Sequence, residues 1–210
     1  MKDIVILGSK GFAKEVLWLL EGMNEERPQW NFLGFVDTNV GEEPIPGYSV
    51  IGNDEWLAQY SHPINAVCGL GSPSLRQNVI KRFKNSQISF PNIVAKQAAV
   101  SKHARFGLGC IVCANVLISP DVTLGDFVTV NLSCTVGHEA VLEDFITLNP
   151  GAHISGAVHI GSGSEIGTGA CIIQGKQLGP DTVVGAGSVI IRDVPGHCTI
   201  VGNPGRILKR

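Results

Sequence analysis

From Val94 to Ile190 the chain repeats with a period of six. Every sixth residue is apolar: Val94, Val100, Phe106, Val112, Ile118, Leu124, Val130, Val136, Leu142, Leu148, Ile154, Ile160, Ile166, Ile172, Leu178, Val184 and Ile190. All but Phe106 are aliphatic, and the register never slips. Four positions after the aliphatic residue stands something small or β-branched, such as Ala98, Cys110, Val122, Cys134, Ala152, Ala170 or Ser188. Fixed self-similarity at a short period marks a solenoid. The aliphatic residue fills its interior, and the small one sits where the walls converge. Directly after the aliphatic residue Gly is frequent (Gly107, Gly125, Gly137, Gly161, Gly167, Gly179, Gly185), and the expectation is that Gly or Asn there takes corner conformations that a larger Cβ resists. A β-sandwich would alternate with period two and break register at every turn, which this stretch does not do.

Three hexads close one triangular coil of eighteen residues, and stacked coils pair short strands in parallel. This resembles the left-handed parallel β-helix of the hexapeptide-repeat acyltransferases. About a hundred residues then make five to six coils and fill nearly half of the 210-residue chain.

Ahead of the repeat the periodicity changes. Lys2–Leu7 is a short β-branched apolar run with the look of a buried strand. It ends in Gly8-Ser9-Lys10-Gly11-Phe12-Ala13, and Lys14–Met23 follows with helical apolar spacing at Val16, Leu17, Leu19 and Leu20. Phe32–Val36 is a second strand ending at Asp37. Ile64–Leu70 is a third, ending at Gly71-Ser72-Pro73-Ser74 and followed by a helix from Leu75 to about Lys84. Strand, Gly-rich turn and helix make the first unit of a Rossmann-like domain, whose helix N-terminal amides favour a phosphate. The fold class is therefore an α/β Rossmann-like domain over residues 1–91, with a polar linker Asn85–Asn92 at its end. A left-handed β-helix with a C-terminal tail follows over 92–210.

Ligands of open α/β sheets bind at the carboxyl ends of the strands. The strand ends thus nominate Gly8–Ala13, Asp37, Thr38, Gly71 and Ser72 as one pocket. The dinucleotide fingerprint G-x-G-x-x-G is not met, because Lys10 stands where the second glycine belongs. A nucleotide-linked ligand is favoured over NAD, with a Gly turn that holds no ligand as the alternative.

In the repeat, the third slot of each hexad holds unremarkable residues such as Ala114, Pro120, Asp126, Leu132 and Pro150. In Val136-Gly137-His138-Glu139 it holds a histidine. The eighteen-residue coil stacks His138 between Pro120 and Gly156, and Gly156 is expected to leave open space beside the imidazole. A lone corner His with no fellow to form a ladder points to acid–base chemistry. His is the side chain whose ordinary pKa suits a base near neutral pH, and Glu139 would fix its tautomer, as a carboxylate does in a triad. A solvated corner charge is the plain reading of Glu139. His103, His153 and His159 read as surface or subunit-contact residues.

Composition narrows the partners. Charged residues are 16% of the chain, below the roughly 25% of typical domains, as apolar walls and many corners require. A formal charge of -2 gives no reason to expect nucleic acid or an anionic membrane. No apolar run approaches a membrane span, Ile4–Leu7 is too short for a signal segment, and a cytosolic protein is expected. Of six Cys, four (Cys110, Cys113, Cys134, Cys171) sit at or near repeat positions as small apolar fillers, and one Cys110-x-x-Cys113 without a second pair is weak support for zinc. No metal is expected.

The whole chain is similar to the sugar acetyltransferases of the sialic-acid O-acetyltransferase and bacillosamine N-acetyltransferase type. The matching stretches are Gly8–Ala13, Phe35-Val36-Asp37, Gly137-His138-Glu139, Gly167-Thr168, Gly185-Ala186-Gly187 and Gly202-Asn203-Pro204. The resemblance implies His138 as general base supported by Glu139, and acetyl-CoA in a groove between neighbouring β-helices of a homotrimer. It implies coenzyme contacts at Thr147, Gly167, Thr168 and Ala186, and sugar-nucleotide contacts at Gly11, Phe12, Ala13, Asp37, Thr38 and Gly71. Asn131 is either an active-site residue or a corner residue stacked on Asn149. Two departures stand out: Thr147 replaces a second His common in the family, and Gly11-Phe12-Ala13 replaces Gly-His-Gly. The expected activity is N-acetylation of a nucleotide-linked amino sugar, such as a 4-amino-4,6-dideoxy hexose. O-acetylation of a sugar of the sialic acid type is the enzymatic alternative. A non-catalytic sugar-nucleotide-binding scaffold is the other, and His138 argues against it.

Overall fold

The structure is a computed structural model that describes residues 1–83 and 87–208. The expected helix end at Lys84, the first linker residues Asn85 and Ser86, and the basic end Lys209-Arg210 lie outside the described residues. The chain forms two compact units, Met1–Ile93 and Val94–Arg210.

The first unit contains β1 (Lys2–Leu7), α1 (Gly11–Glu26), β2 (Trp30–Val36), β3 (Val50–Gly52), α2 (Asp54–Ala58), β4 (Ile64–Cys68), α3 (Pro73–Ile80) with a 3₁₀ turn over Lys81–Phe83, and β5 (Ile88–Ser89). All strands are parallel, in the order β3-β2-β1-β4-β5. β1 is central, and Ile4, Val5, Ile6 and Leu7 are buried because helices cover both faces of such a sheet. The expected three strands are thus five. β3 and β5 have only three and two residues, too few to show a period. Part of the expected linker is β5, whose Ile88 pairs with Ile64. Helix α1 begins at Gly11 rather than Lys14, because the glycine-rich turn itself supplies the first helical residues.

The second unit is the left-handed parallel β-helix. Its three walls are sheets of six, five and eight strands. In the first, Ala99, Leu117, Thr135, His153, Cys171 and Val189 stack in register. The second stacks Arg105, Thr123, Val141, His159 and Gln177. The third stacks Ile111, Thr129, Thr147, Glu165 and Val183. Neighbours are eighteen residues apart throughout. The repeat's aliphatic positions from Val112 to Ile190 form one continuous buried core. Cys110 and Cys134 belong to it, and Cys113 is also buried.

The corner chemistry differs from expectation. Left-handed backbone falls three positions after the aliphatic residue, at Asn115, Asp121, Ser133, Glu139, Ala157 and their equivalents. The glycines directly after the aliphatic residue serve close approach instead. A Cβ on Gly161 would stand 2.5 Å from the Pro180 nitrogen, and one on Gly137 2.5 Å from that of Gly156. Backbone pressed against backbone leaves only Gly as a fit there.

The uppermost coil is short. Val183 pairs with Thr199, sixteen residues on, where Glu165 pairs with Val183 at eighteen. The strand Thr199–Val201 is then covered by an antiparallel partner, Arg206–Ile207, from the tail.

Two substitutions separate these corner roles. Gly161→Ala should destabilise the β-helix by about 1–3 kcal/mol through forced overpacking. Ala157→Gly should stabilise it by up to about 1 kcal/mol, since left-handed backbone costs an L residue ~1–2 kcal/mol against ~0.5–1 for glycine's lost freedom. Thermal midpoints of the two variants against the parent give both signs.

Candidate active site

The corner between the first and second walls carries His138. Its carbonyl accepts from Ala157 N (2.8 Å), and Glu139 N donates to Pro120 O (3.2 Å), so the corner is held by the coils above and below. Nδ1 of His138 lies 3.0 Å from Oε2 of Glu139. A carboxylate only accepts, so in the neutral imidazole this contact places the hydrogen on Nδ1 and leaves the lone pair on Nε2. Adjacent residues of an extended strand point apart. The left-handed backbone of Glu139 (φ 59°) turns its side chain back to meet its neighbour. Both side chains are more than half exposed, at 56% and 67%. An exposed pair of this kind adds only ~0–1 kcal/mol to stability, so its contribution is orientation of the ring.

Gly156 does not leave a void beside the imidazole, as the sequence led one to expect: the ring fills it. A Cβ on Gly156 would stand 2.6 Å from Cε1 and Nε2 of His138. Glycine here is the seat of the ring, and it sets how far Nε2 reaches over the next coil.

Among the described residues, three further His–polar pairs lie in this unit. His159 Nε2 meets Glu143 Oε1 at 3.0 Å, and the other oxygen of Glu143 accepts from the amide and hydroxyl of Ser162, both at 2.9 Å. Those Ser162 bonds, with His159 nearby, hold the Glu143 carboxyl below its usual range against the opposing effect of burial. The serine is bonded to the carboxylate and not to the imidazole, so this is no nucleophile–base pair. His153 meets Thr135 (2.9 Å) and His197 meets Asp181 (3.3 Å). Cys134, four residues before His138, is no ready nucleophile, because burial pushes its thiol up to about 11.

The residues expected to hold the coenzyme are not beside His138 in the same chain. Thr168 and Ala186 stack with Leu132 and Pro150 on the corner between the third and first walls. Their carbonyl-to-amide ladder runs Leu132 to Gly151, Pro150 to Gly169 and Thr168 to Gly187. Gly167 precedes Thr168 there, and a Cβ on it would stand 2.5 Å from Ala186 N. Asn131 begins the same corner, and its Oδ1 accepts from Leu132 N at 2.7 Å. It lies at the opposite edge of the first wall from His138. Thr147 is buried on the third wall, 2% exposed.

In the first unit the chemistry gathers at the carboxyl ends of β1, β2 and β4. The sheet order reverses between β1 and β4, which opens a crevice there. Two helices start at its mouth, and neither has a side-chain cap: α1 after Lys10 and α3 after Ser72. Amides of Gly11, Phe12 and Ala13 form the first turn of α1, and uncapped amides of this kind attract an anion. Ala13 is itself buried, and a Cβ on Gly69 would stand 2.8 Å from it, so its contact to any ligand is through backbone. Gly71 has open space around its Cβ position. Behind that loop the buried guanidinium of Arg76 donates to the carbonyls of Leu70 (2.7 Å) and Gly71 (3.2 Å). Asp37 accepts from Ser9 Oγ at 2.6 Å and from Thr38 N at 2.7 Å. Burial opposes its ionisation, but the bonds from Ser9 and Thr38 outweigh this and lower its pKa.

A cleft of about 360 Å³ opens here, lined by Gly8, Asp37, Thr38, Leu70 and four residues the sequence reading passed over: Asn53, Asp54, Glu55 and Arg82. The signal for the first three was present as a helix start, since Asn53 Oδ1 caps the amide of Trp56 at 2.9 Å. Arg82, paired with Asp54 at 2.5 Å, and Arg76 carried no local signal, because register and burial place them.

Residues 3–83 match the family model described as the PglD N-terminal domain. No curated protein matches the chain. Among solved structures, the acetyltransferase domain of PglB from Neisseria gonorrhoeae FA1090, in complex with acetyl coenzyme A, is 31% identical over 99% of both chains, with a TM-score of 0.90. A variant of perosamine N-acetyltransferase from Caulobacter crescentus, in complex with CoA and GDP-perosamine, is 29% identical over 100% of this chain and 98% of that one, with a TM-score of 0.93. WeeI from Acinetobacter baumannii AYE is 26% identical over 99% and 100%, with a TM-score of 0.90. With both units matched end to end by such proteins, the chain belongs to the hexapeptide-repeat sugar acetyltransferases.

Proposed function

We propose that the chain transfers the acetyl group of acetyl-CoA to the amino group of a nucleotide-linked amino sugar. The observation that carries this is the His138 corner: Nδ1 committed to Glu139 at 3.0 Å, and the ring seated on Gly156 with Nε2 free to accept a proton. The amine nitrogen attacks the thioester carbonyl, and Nε2 takes the proton that the nitrogen sheds. The carbon–sulfur bond of the tetrahedral intermediate breaks, and the imidazolium returns the proton to the leaving sulfur. Glu139 stabilises the imidazolium and holds the tautomer. One base suffices for an amine. The two uncapped helix ends of the first unit suit the diphosphate of a sugar nucleotide, where a free sugar would leave them without an anion.

The coenzyme groove takes its second wall from another copy in a homotrimer. What supports this is the separation of His138 from Gly167, Thr168 and Ala186 onto two different edges of the prism. Thr147 and Asn131 serve the third and first walls, and a ligand contact from Thr147 requires its surroundings to open. Among the described residues, no helix is long and apolar enough to cross a membrane.

The tests are enzymatic. Purified protein should release thiol from acetyl-CoA with one member of a panel of nucleotide-linked amino sugars. His138→Ala should lower kcat by about 10²–10⁴-fold, the usual share of a general base, with little change in KM. Wild type and variant alike on an active substrate would remove His138 as base. Gly156→Ala should displace the ring and lower kcat at least tenfold while thermal stability changes little. Mixing inactive His138→Ala with inactive Ala186→Trp under subunit exchange should restore part of the activity. If sites lay within single chains, mixing would restore none.

A further inference from the structure

The cleft of about 360 Å³ in the first unit carries more chemistry than a phosphate at the two uncapped helix ends would use. Leu70 and Val79 give it apolar lining that suits the faces of a planar ring. The polar groups around them differ in what they have left to offer. Asn53 uses its side-chain oxygen on Trp56 N (2.9 Å), and Asp54 is paired with Arg82. The carboxylate of Asp37 is nearly filled. Its Oδ1 accepts from both the amide and the hydroxyl of Thr38, at 2.7 and 3.2 Å, and its Oδ2 accepts from Ser9 Oγ at 2.6 Å. Glu55 is exposed and lines the cleft, and among the described residues its carboxylate has no hydrogen-bond or ion-pair partner. The cleft thus combines one open two-oxygen acceptor with a guanidinium, Arg82, that has N–H groups beyond the one on Asp54.

We propose that Glu55 selects guanine, so that the substrate is an amino sugar linked to guanosine diphosphate. The inference rests on the sugar-nucleotide reading given above and adds the identity of the base. Base edges decide it. Guanine alone among the ordinary bases shows two adjacent donors, N1–H and the 2-amino group, beside acceptors at O6 and N7. A carboxylate takes the two donors in a two-point contact, and a guanidinium takes O6 and N7. Uracil and thymine set one N–H between two carbonyl oxygens, which a carboxylate repels. Cytosine and adenine flank their amino group with a ring nitrogen that only accepts, so each gives a carboxylate one contact at most. Glu55 therefore reads N1–H and the 2-amino group, Arg82 reads O6 and N7, and Leu70 and Val79 take the ring faces. Asp37 is the rival carboxylate, but three bonds from Ser9 and Thr38 leave it no open two-oxygen edge. Its place at the end of β2 suits the ribose hydroxyls instead.

Calorimetry with the diphosphates of guanosine, uridine, cytidine and adenosine reads the cleft without any turnover. Wild type should bind the guanosine compound at least about tenfold more tightly than the others, the discrimination of one two-point base contact. Glu55→Gln should lose most of that preference while binding uridine diphosphate as wild type does, and this retained binding reports that the variant is folded. Inosine diphosphate, which lacks only the 2-amino group, should bind wild type several-fold more weakly than guanosine diphosphate, and the variant should treat the two alike. Asp37→Asn should weaken all the diphosphates by a common factor and keep their order. Wild type that binds none of them or prefers another base, a guanine preference that survives in Glu55→Gln, or one that vanishes only in Asp37→Asn would each overturn the proposal. A guanine preference lost in Glu55→Gln, with no acetyl transfer to any amine, would leave Glu55 assigned and remove the proposed reaction. Acetyl transfer to a uridine-linked amino sugar with no preference for guanine would do the reverse.

Discussion

Every functional placement in the second unit depends on one constraint, the eighteen-residue closure of the coil. Strand amides bond to carbonyls of the coil above and left-handed corner amides to carbonyls of the coil below, so a residue's height and edge follow from its number. A one-residue slip would turn the aliphatic row outward and cost the whole core. The buried row from Val112 to Ile190 holds that register, and the register sets a glycine against an imidazole. Packing, not the His–Glu pair itself, supplies the energy that positions the base.

The first unit achieves its preorganisation differently. There the sheet order reverses between β1 and β4, and two helices begin without caps. Their amides are left for a ligand to satisfy. The buried Arg76 ties down the carbonyls of Leu70 and Gly71 and adds a positive charge behind the loop. Ser9 and Thr38 keep Asp37 ionised at the opposite lip. An anion-favouring floor with a fixed acceptor at its rim suits a ligand with phosphates at one end and hydroxyls or ring N–H groups at the other.

The walls of the β-helix were legible because a six-residue period holds over seventeen positions from Val94 to Ile190, and chance cannot hold such a register. His138 was legible for the same reason, as an exception to a strict pattern. The corner geometry was misread: glycine frequency alone does not distinguish left-handed backbone from backbone contact, and the two demands fall two positions apart, at Gly137 and Glu139. The edge strands β3 and β5 were missed because two or three residues show no period. Arg76 and Arg82 were missed because their environment is made by residues distant in sequence. Where a role rests on local pattern, the sequence carries it; where it rests on neighbours across the fold, only the assembled structure does.

A parallel β-helix is open at both ends, and each end offers unpaired backbone that a second molecule could extend. The short sixteen-residue coil and the antiparallel strand Arg206–Ile207 close the upper end. A strand running the wrong way cannot template another parallel coil. The tail thus blocks the upper end as a template on which a further parallel coil could stack.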